Sequence, residues 1–330
     1  MIEVLQVDPA PDLEPFTYEQ KALQSAGARL VMGNCATPEE LIEKGQGAEI
    51  LWLAWKPKIT AQVMEALPRC RLVVRWGVGF DQIDVEAATR LGIAVANSPT
   101  YCTIDVAEHT IALLVAMARE VTWFNQRMHA GAWPGQKARR IHRLTGRVLG
   151  ILGVGRIGVA VSARAAALGL RVIGYDPNLS EEVMRARGVE PVELDRLLQE
   201  SDFVSLHLPL TVETRHFINA ATLARMKPDA ILINAGRGPL VDEAALVAGL
   251  EAGHLAGAAL DVFESEPLAP TSGLVSAENV TLTSHVAGYS IESWADLRAE
   301  VCRTSIDWVN TGWASTILNP EVRGRLRRLT

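Results

Sequence analysis

Short apolar runs alternate with helix-length segments along most of the chain. This alternation is typical of βαβ units, whose parallel strands are buried on both faces and read as continuous apolar runs. A first series of strands is predicted over residues 2–7, 29–32, 50–54, 72–75 and 93–96. A second series is predicted over residues 148–152, 171–175, 203–206, 230–233, 257–260 and 280–283. The two series predict an α/β protein with two parallel sheets.

Two long helical segments join these series. Residues 103–119 are apolar on nearly every face, with Thr103 suited to an N-cap and Asp105 to the first turn, so a buried helix is predicted at the domain junction. A second helix is predicted over residues 291–310, before Gly312, and a short tail remains that can return to the first domain. The chain is therefore expected to cross the domain boundary twice.

Composition limits the class of protein. With 330 residues and 48% hydrophobic content, the chain can bury two ordinary cores. Its N-terminus lacks a basic segment followed by a long apolar one, and the longest apolar run, residues 111–118, is too short to span a bilayer. We expect a soluble cytoplasmic protein without membrane association.

The cysteines and the charges predict few special partners. Cysteines at positions 35, 70, 102 and 302 have no metal-like spacing, so reduced thiols are expected, with neither a disulfide nor a metal site. The net charge of -6 gives no reason to expect nucleic acid. Two basic clusters are interpreted as solvated loop and tail: Lys137, Arg139, Arg140 and Arg143, and residues 323–328.

A glycine-rich motif begins the second series of strands. Gly153, Gly155 and Gly158 fit GxGxxG between a predicted strand and an alanine-rich helix, and a second strand ends at Asp176, 18 residues after Gly158. This order of elements is typical of dinucleotide binding. The first glycine permits a tight turn, the second lets the pyrophosphate approach the backbone, and the third permits close helix–strand packing. Arg156 adds a positive charge beside the loop.

Asp176 predicts which dinucleotide binds. Its carboxylate can accept hydrogen bonds from the ribose hydroxyls of the adenosine, but it would repel a 2′-phosphate. Pro177 and Asn178, which follow it, supply no cation to offset that repulsion. The sequence therefore predicts NAD as the cofactor rather than NADP.

Three charged groups follow predicted strands of the second series, where open parallel sheets place their ligands. Arg237 lies between two glycines that would permit sharp backbone angles, Glu264 and Glu266 lie in "LDVFESEP", and His285 lies in "TSHVAG". An arginine, an acid and a histidine in these places suggest an anion clamp, a partner for the histidine and a proton donor. Each residue alone also fits a surface or packing role. His207 is interpreted as structural or cofactor-lining.

Seven segments of the chain carry a resemblance to a known family: "RWGVGFDQID" (75–84), "VAEHT" (106–110), "GILGVGRIG" (150–158), "HLPLT" (207–211), "INAGRGPLVDE" (233–243), "LDVFESEP" (260–267) and "SHVAG" (284–288). By these motifs the chain resembles the D-isomer-specific 2-hydroxyacid dehydrogenases, which include phosphoglycerate, glycerate, lactate and hydroxypyruvate/glyoxylate enzymes. The resemblance implies hydride transfer between NAD(H) and a D-2-hydroxy acid/2-oxo acid pair.

The resemblance also implies site residues. Arg237 would bind the substrate carboxylate, His285 would be the general acid/base, and Glu266 would pair with His285. The implied cofactor-binding residues are Gly153, Gly155, Arg156, Ile157, Gly158, Asp176, Pro209, Ala235, Gly236 and Asp261. The implied substrate-binding residues are Arg237, the backbone N–H groups of Gly77, Val78 and Gly79, and Trp55 and Lys56 in the loop after the third strand.

The implied architecture has two doubly wound domains. Residues 1–100 plus 292–330 would form a flavodoxin-like substrate-binding domain, and residues 101–291 a Rossmann NAD-binding domain. A homodimer is expected through the NAD-binding domain and residues 123–140.

Several points stay open in the sequence. Ser284, Thr100 and Trp76 stand where the family commonly has other residues, which leaves the shape of the substrate pocket undetermined. Formate oxidation is disfavoured because related formate enzymes have an amide in place of Glu266, whereas phosphite oxidation stays open. The alternative from another class is an NAD(H)-sensing binding protein of the C-terminal-binding corepressor type, because it would carry the same Arg–Glu–His set.

Overall fold

The computed structural model describes residues 1–8, 15–135 and 141–328. The chain divides into two compact units, Met1–Cys102 with Ser290–Thr330, and Thr103–Tyr289. The strands are β1 (Ile2–Gln6), β2 (Ala28–Met32), β3 (Ile50–Leu53), β4 (Leu72–Arg75), β5 (Ala94–Ala96), β6 (Val148–Leu152), β7 (Arg171–Tyr175), β8 (Glu190–Pro191), β9 (Phe203–Leu206), β10 (Ile231–Asn234), β11 (Gly257–Leu260) and β12 (Val280–Leu282).

Helices alternate with these strands. They are α1 (Thr17–Ser25), α2 (Pro38–Lys44), α3 (Ala61–Ala66), α4 (Val85–Arg90), α5 (Thr103–Ala118), α6 (Val121–His129), α7 (Arg156–Ala167), α8 (Glu181–Ala186), α9 (Leu194–Glu200), α10 (Ala220–Leu223), α11 (Glu243–Glu251), α12 (Gly273–Ser276) and α13 (Ile291–Thr311). Two short 3-10 helices, Gly238–Leu240 and Pro320–Arg325, complete the described elements.

The first unit is built on a parallel sheet in the order β2-β1-β3-β4-β5. This order is that of flavodoxin-like folds. Helices α1 and α13 cover one face through residues such as Leu23 and Val301, and α2, α3 and α4 cover the other through residues such as Leu41 and Met64. Because helices cover both faces, the strands are fully buried and carry continuous apolar runs.

The second unit has a parallel sheet in the order β12-β11-β10-β9-β6-β7-β8. From β6 onward this is the Rossmann order with one additional strand beside β11. Helices α5 and α7 pack on one face, and α9, α10 and α11 on the other. The strand order reverses between β6 and β9, which is the point where open α/β sheets bind ligands.

The predicted α/β fold with two doubly wound sheets is confirmed, and each predicted strand ends within one residue of its observed bounds. Strand β8 was not predicted, because it is a two-residue edge strand, Glu190–Pro191, without an apolar run. Helix α5 begins at Thr103 itself. One side of it is more open than predicted, because Ile104 keeps 53% of its surface exposed.

Other predictions concern single residues. All four cysteines are free and buried. Trp76 packs into the core of the first unit against the rings of Phe16 and Trp52, so its side chain does not shape a pocket. Within the described ranges, the helices are too short or too polar to cross a membrane. Lys137, Arg139 and Arg140 of the predicted basic cluster lie outside the described residues.

Candidate active site

The glycine-rich loop connects β6 to α7, and its three glycines have different structural reasons. Gly153 has a φ of 93°, and an added Cβ would lie 2.6 Å from the His207 carbonyl oxygen. At Gly158 an added Cβ would lie 2.2 Å from the carbonyl oxygen of Gly153. At Gly155, the N-cap of α7, it would meet no described atom within 4 Å. The open space at Gly155 and the helix N-terminus beside it fit the pyrophosphate of a dinucleotide.

Asp176 follows β7 and reaches this loop. Its carboxylate accepts hydrogen bonds from the backbone N–H of Val154 at 2.9 Å and of Asn178 at 3.0 Å. Arg187 donates from Nη1 to the Val154 carbonyl oxygen at 2.6 Å. These contacts fix the orientation of the acid and hold the loop from two sides. Asp176 is therefore held where an adenosine ribose would lie in a Rossmann fold.

The loop after β9 lies on the other side of the switch point. His207 is 2.9 Å from the Ser205 hydroxyl through Nε2. Burial lowers the pKa of His207 to about 4, so the imidazole is neutral at physiological pH. Pro209 is exposed, and its carbonyl accepts a hydrogen bond from the Thr214 hydroxyl at 2.6 Å. The loop is thus ordered by local hydrogen bonds beside the glycine-rich segment.

Arg237 lies in the loop after β10, between Gly236 and Gly238. The loop is closed by Asn234, which donates from Nδ2 to the Arg237 carbonyl at 2.9 Å and accepts from the Gly236 N–H at 3.1 Å. The expectation of unusual backbone angles was wrong, because neither glycine has a positive φ in the left-handed region. Gly238 is required by close packing, since an added Cβ would lie 1.9 Å from the Phe263 backbone.

His285 and Glu266 form a direct pair between the loops after β12 and β11. His285 Nδ1 lies 2.7 Å from Glu266 Oε2, and the two side chains are about one-third exposed, at 31% and 35%. The second oxygen of Glu266 accepts the Phe263 N–H at 3.0 Å. Because Nδ1 faces the carboxylate, Nε2 is the ring nitrogen that can exchange a proton with a substrate.

The carboxylate of Glu266 is held in its charged form. Burial alone would raise the pKa of Glu266, but the hydrogen bonds from His285 and Phe263, together with the charges of His285 and Arg237, outweigh it and lower the pKa. The ionised carboxylate of Glu266 accepts the hydrogen bond from His285 Nδ1. The other acid of the segment, Glu264, lies 2.6 Å from His216 Nε2.

Asp261, the residue directly after β11, is wholly buried and holds the histidine loop. Its carboxylate accepts the N–H groups of Val286 at 3.0 Å and Ala287 at 2.9 Å, and the Thr283 hydroxyl at 2.5 Å. Its own carbonyl accepts the N–H of His285 at 2.7 Å. The predicted cofactor-lining acid is thus fully engaged in positioning the loop that carries the histidine.

The remaining candidates lie in the first unit. Trp55, 51% exposed, and Lys56 follow β3, and both donate their backbone N–H to the buried carboxylate of Asp8, at 2.5 and 3.2 Å. The guanidinium of Arg75 lies 5.5 Å from the centre of the Trp55 ring. Gly77 has a φ of 139°, and an added Cβ would lie 2.6 Å from Arg75 Nη1. A cation, an aromatic ring and a glycine turn therefore share one end of the first sheet.

Sequence reasoning missed five residues that support these loops: Asp8, Arg75, His109, Arg187 and Asn234. Arg75 and Asn234 had a usable signal, because each is a polar residue that ends a buried strand. Asp8 had a weaker one, two residues beyond β1. His109 and Arg187 lie on or beside helices, and only the packing of those helices brings them to the loops.

The chain belongs to the D-isomer specific 2-hydroxyacid dehydrogenase family, whose NAD binding domain matches residues 111–287. The matched residues lie within the second compact unit, Thr103–Tyr289. The fold and the glycine-rich loop described above agree with this class.

Individual relatives have related names. The chain is 41% identical over 285 residues to a glyoxylate reductase of Korarchaeum cryptofilum, with 86% of each chain covered. It is 40% identical over 286 residues to a D-3-phosphoglycerate dehydrogenase of Methanocaldococcus jannaschii, covering 86% of this chain but 53% of that protein. A solved NADPH-dependent glyoxylate/hydroxypyruvate reductase from Sinorhizobium meliloti, in complex with NADP and malonate, is 30% identical with a TM-score of 0.85, covering 100% of this chain and 99% of that one.

Proposed function

We propose that the protein is an NAD-dependent oxidoreductase that interconverts a 2-oxo acid and the corresponding D-2-hydroxy acid. The observation that supports it most directly is the 2.7 Å contact between His285 and Glu266. Both residues lie in loops that follow strands of the sheet whose strand β6 leads into the glycine-rich loop. Membership of the 2-hydroxyacid dehydrogenase family supports the same reaction. An NAD(H)-sensing binding protein would need none of the turnover predicted below.

In the proposed mechanism Arg237, whose positive charge contributes to lowering the pKa of Glu266, binds the carboxylate of the substrate through its planar guanidinium. When bound, NADH supplies the hydride that reduces C2. Protonated His285 then donates its Nε2 proton to the developing alkoxide, and Glu266 holds the ring through Nδ1. In the oxidative direction, neutral His285 accepts the proton of the substrate hydroxyl.

For the cofactor we propose NAD rather than NADP. The Asp176 carboxylate is oriented by the Val154 N–H, accepts hydrogen bonds from ribose hydroxyls and repels a 2′-phosphate. Arg187 is the nearby cation that could offset this repulsion, although its Nη1 is engaged with the Val154 carbonyl. The ratio of kcat/KM for NADH to that for NADPH measures the preference. Asp176→Ala should lower it, whereas a wild-type preference for NADPH would contradict the assignment.

Glyoxylate and hydroxypyruvate are the substrates we favour, because the chain covers most of a glyoxylate reductase and about half of a phosphoglycerate dehydrogenase. One observation favours 3-phosphohydroxypyruvate as a second candidate. Lys56 is an exposed residue of the loop that carries Trp55, and a phosphate would need a cation of this kind. Lys56→Ala should then lower kcat/KM for the phosphorylated acid more than for the others. An unchanged ranking of substrates would exclude Lys56 from the choice.

The two units have separate roles in this proposal. We assign residues 1–100 plus 292–330 to substrate binding and residues 101–291 to NAD binding, bounds that lie within two residues of the compact units. The backbone N–H groups of Gly77, Val78 and Gly79 contribute to binding the substrate carboxylate.

We also propose a homodimer through α6 and the residues that follow it. None of the described α6 residues is buried in the single chain, and Met128 and Trp133 keep 47% and 85% of their surface exposed. Exposed apolar side chains on one segment are typical of protein–protein contacts. Sedimentation should give a dimer that Trp133→Asp weakens. A wild-type monomer at micromolar concentration would contradict it.

The decisive experiment measures NADH oxidation with glyoxylate, hydroxypyruvate, pyruvate, phenylpyruvate, 2-oxoglutarate and 3-phosphohydroxypyruvate. His285→Ala and Glu266→Gln are measured in parallel. We expect turnover of at least one acid and a loss of about 100-fold or more in kcat for His285→Ala, because general acid catalysis contributes on this order. Tight NADH binding without turnover across the panel would instead favour the NAD(H)-sensing alternative.

A further inference from the structure

A hydrogen-bonded chain connects helix α5 to the loop that carries His285. His109, on α5, places Nε2 3.0 Å from the Thr283 hydroxyl and 3.6 Å from Asp261 Oδ1. The Thr283 hydroxyl lies 2.5 Å from Asp261 Oδ1. His109 keeps 23% of its side chain exposed, whereas Asp261 is wholly buried. A surface-accessible helix position is thus linked to a buried carboxylate.

The chemistry of His109, Thr283 and Asp261 determines which group donates in each of these hydrogen bonds. An ionised carboxylate only accepts hydrogen bonds, so the single hydroxyl proton of Thr283 points to Asp261. Towards His109, the Thr283 oxygen is then an acceptor, and His109 Nε2 must carry the proton that lies between them. The direction of donation is therefore from His109 to Thr283 and from Thr283 to Asp261.

Asp261 in turn holds the loop of residues 284–288, which carries His285. It accepts the N–H groups of His285, Val286 and Ala287 through its carbonyl and carboxylate oxygens. His285 has a φ of 55°, in the left-handed region that a non-glycine residue seldom adopts. Such a conformation persists where surrounding contacts fix it, and three consecutive N–H groups bound by one residue supply that fixation.

We infer that His109 is a positioning residue for His285, acting through Thr283 and Asp261. The role of His285 rests on the function proposed above, whereas the contacts do not. Loss of the His109 donor loosens the orientation of the Asp261 carboxylate, which in turn lets the 284–288 loop leave the geometry in which His285 pairs with Glu266. The expected signature is a lower kcat with little change in NADH affinity.

Paired substitutions test this inference. His109→Leu removes the donor, whereas His109→Gln can replace it with an amide N–H near the position of Nε2. Thr283→Val removes the hydroxyl with little change of shape, and Thr283→Ser keeps it. Thr110→Val is the matched control, because it removes a neighbouring hydroxyl on α5 whose hydrogen bond stays within the helix, at 2.7 Å to Val106.

We expect His109→Leu and Thr283→Val to lower kcat about tenfold on the best substrate of the panel, with the NADH Kd within twofold of wild type. His109→Gln, Thr283→Ser and Thr110→Val should stay within about threefold of wild-type kcat. Full activity of His109→Leu, or equal losses in His109→Leu and Thr110→Val, would overturn the inference.

Amide hydrogen exchange over residues 284–288 provides a readout that does not depend on turnover. Exchange in this segment should be faster in His109→Leu than in His109→Gln. If wild-type protein reduces none of the acids, the proposed function fails while this exchange difference still supports the contact chain. If the wild type is active and exchange is identical in the two variants, the positioning role fails alone.

Discussion

Each of the two sheets has a buried aspartate just beyond a parallel strand, and each aspartate binds the loop after the neighbouring strand. Asp8 follows β1 and accepts the N–H groups of Ala54, Trp55 and Lys56 after β3. Asp261 follows β11 and holds the loop after β12. The loop held by Asp8 presents an aromatic ring and a lysine, and the loop held by Asp261 presents the His285 imidazole.

The two acids differ in what else they bind. The three hydrogen bonds to the Asp8 carboxylate given above come from backbone N–H groups, whereas the Asp261 carboxylate also accepts the Thr283 hydroxyl and lies 3.6 Å from His109. Backbone amides alone fix where a loop runs. The added side chains at Asp261 also restrict how the carboxylate is turned. Among the described residues, the loop with the proposed proton donor is therefore held by more side-chain contacts than the loop proposed for recognition.

Substitution of Asp261 has the largest expected effect on stability and on kcat. Asp261→Asn replaces one acceptor oxygen with an amide donor. If Oδ1 is replaced, Val286 and Thr283 lose their acceptor, and if Oδ2 is replaced, Ala287 loses its acceptor. We expect a loss of about 2–3 kcal/mol in the free energy of unfolding. Steady-state kinetics of the folded variant should give a kcat about 100-fold lower, because His285 is displaced from Glu266.

The NADH Kd decides the meaning of that result. A kcat loss with nearly unchanged NADH binding supports a positioning role for Asp261. A parallel loss of NADH affinity and a kcat close to wild type would return Asp261 to the cofactor-lining role that its motif implied. Asp202→Asn is a suitable control, because the Asp202 carboxylate also accepts a backbone N–H, from Val148 at 2.7 Å, but Asp202 lies directly before β9 and not after a strand.

Substitution of Asp8 should change the KM of the 2-oxo acid more than kcat. Asp8→Asn should raise the KM of the 2-oxo acid about tenfold and leave kcat within about threefold, because it loosens the loop that we propose to contact substrate and leaves the proposed proton donor in place. Initial rates at saturating NADH measure both constants. An equal loss of kcat in Asp8→Asn and Asp261→Asn would show that the two loops do not divide recognition from chemistry.

These acid-held loops mark the limit of what the sequence could predict. The strands followed from continuous apolar runs, and Arg237 and His285 from charges at strand ends, whereas only the family resemblance selected Glu266 over Glu264. The hydrogen bonds that Trp55 donates to Asp8 and that Ala287 donates to Asp261 depend on which strands are neighbours. Strand order is a long-range property that no local pattern encodes. The need for glycine at position 238 could not be predicted either, because it arises from close packing against the backbone of Phe263.

In a third loop, the glycine-rich loop after β6, substitutions can test NADH binding separately from the stability of the fold. Gly155→Ala adds a Cβ that meets no described atom within 4 Å, so thermal unfolding should be unchanged or slightly later. The methyl group would occupy the approach of the pyrophosphate, and we expect the NADH Kd, measured by fluorescence, to rise about fivefold. Gly158→Ala is the contrasting variant, because its Cβ would lie 2.2 Å from the Gly153 carbonyl and should destabilise the fold. Normal NADH affinity in Gly155→Ala would argue against this binding site.

The smallest expected effect concerns His207, a partly buried histidine whose imidazole is neutral at physiological pH. Its folded pKa of about 4 lies below the ordinary 6.5, so between these values the unfolded chain binds more protons than the folded one. Stability from this residue is therefore full above pH 6.5 and is lost as the pH falls towards 4. His207→Gln lacks this titration. From pH 7 to pH 5 the wild type should lose about 1 kcal/mol more unfolding free energy than the variant, a figure reduced for the partial exposure of the residue. Parallel urea titrations at the two pH values measure the difference. Equal losses in both proteins would mean that His207 titrates normally and that its loop is more open than the loops held by Asp8 and Asp261.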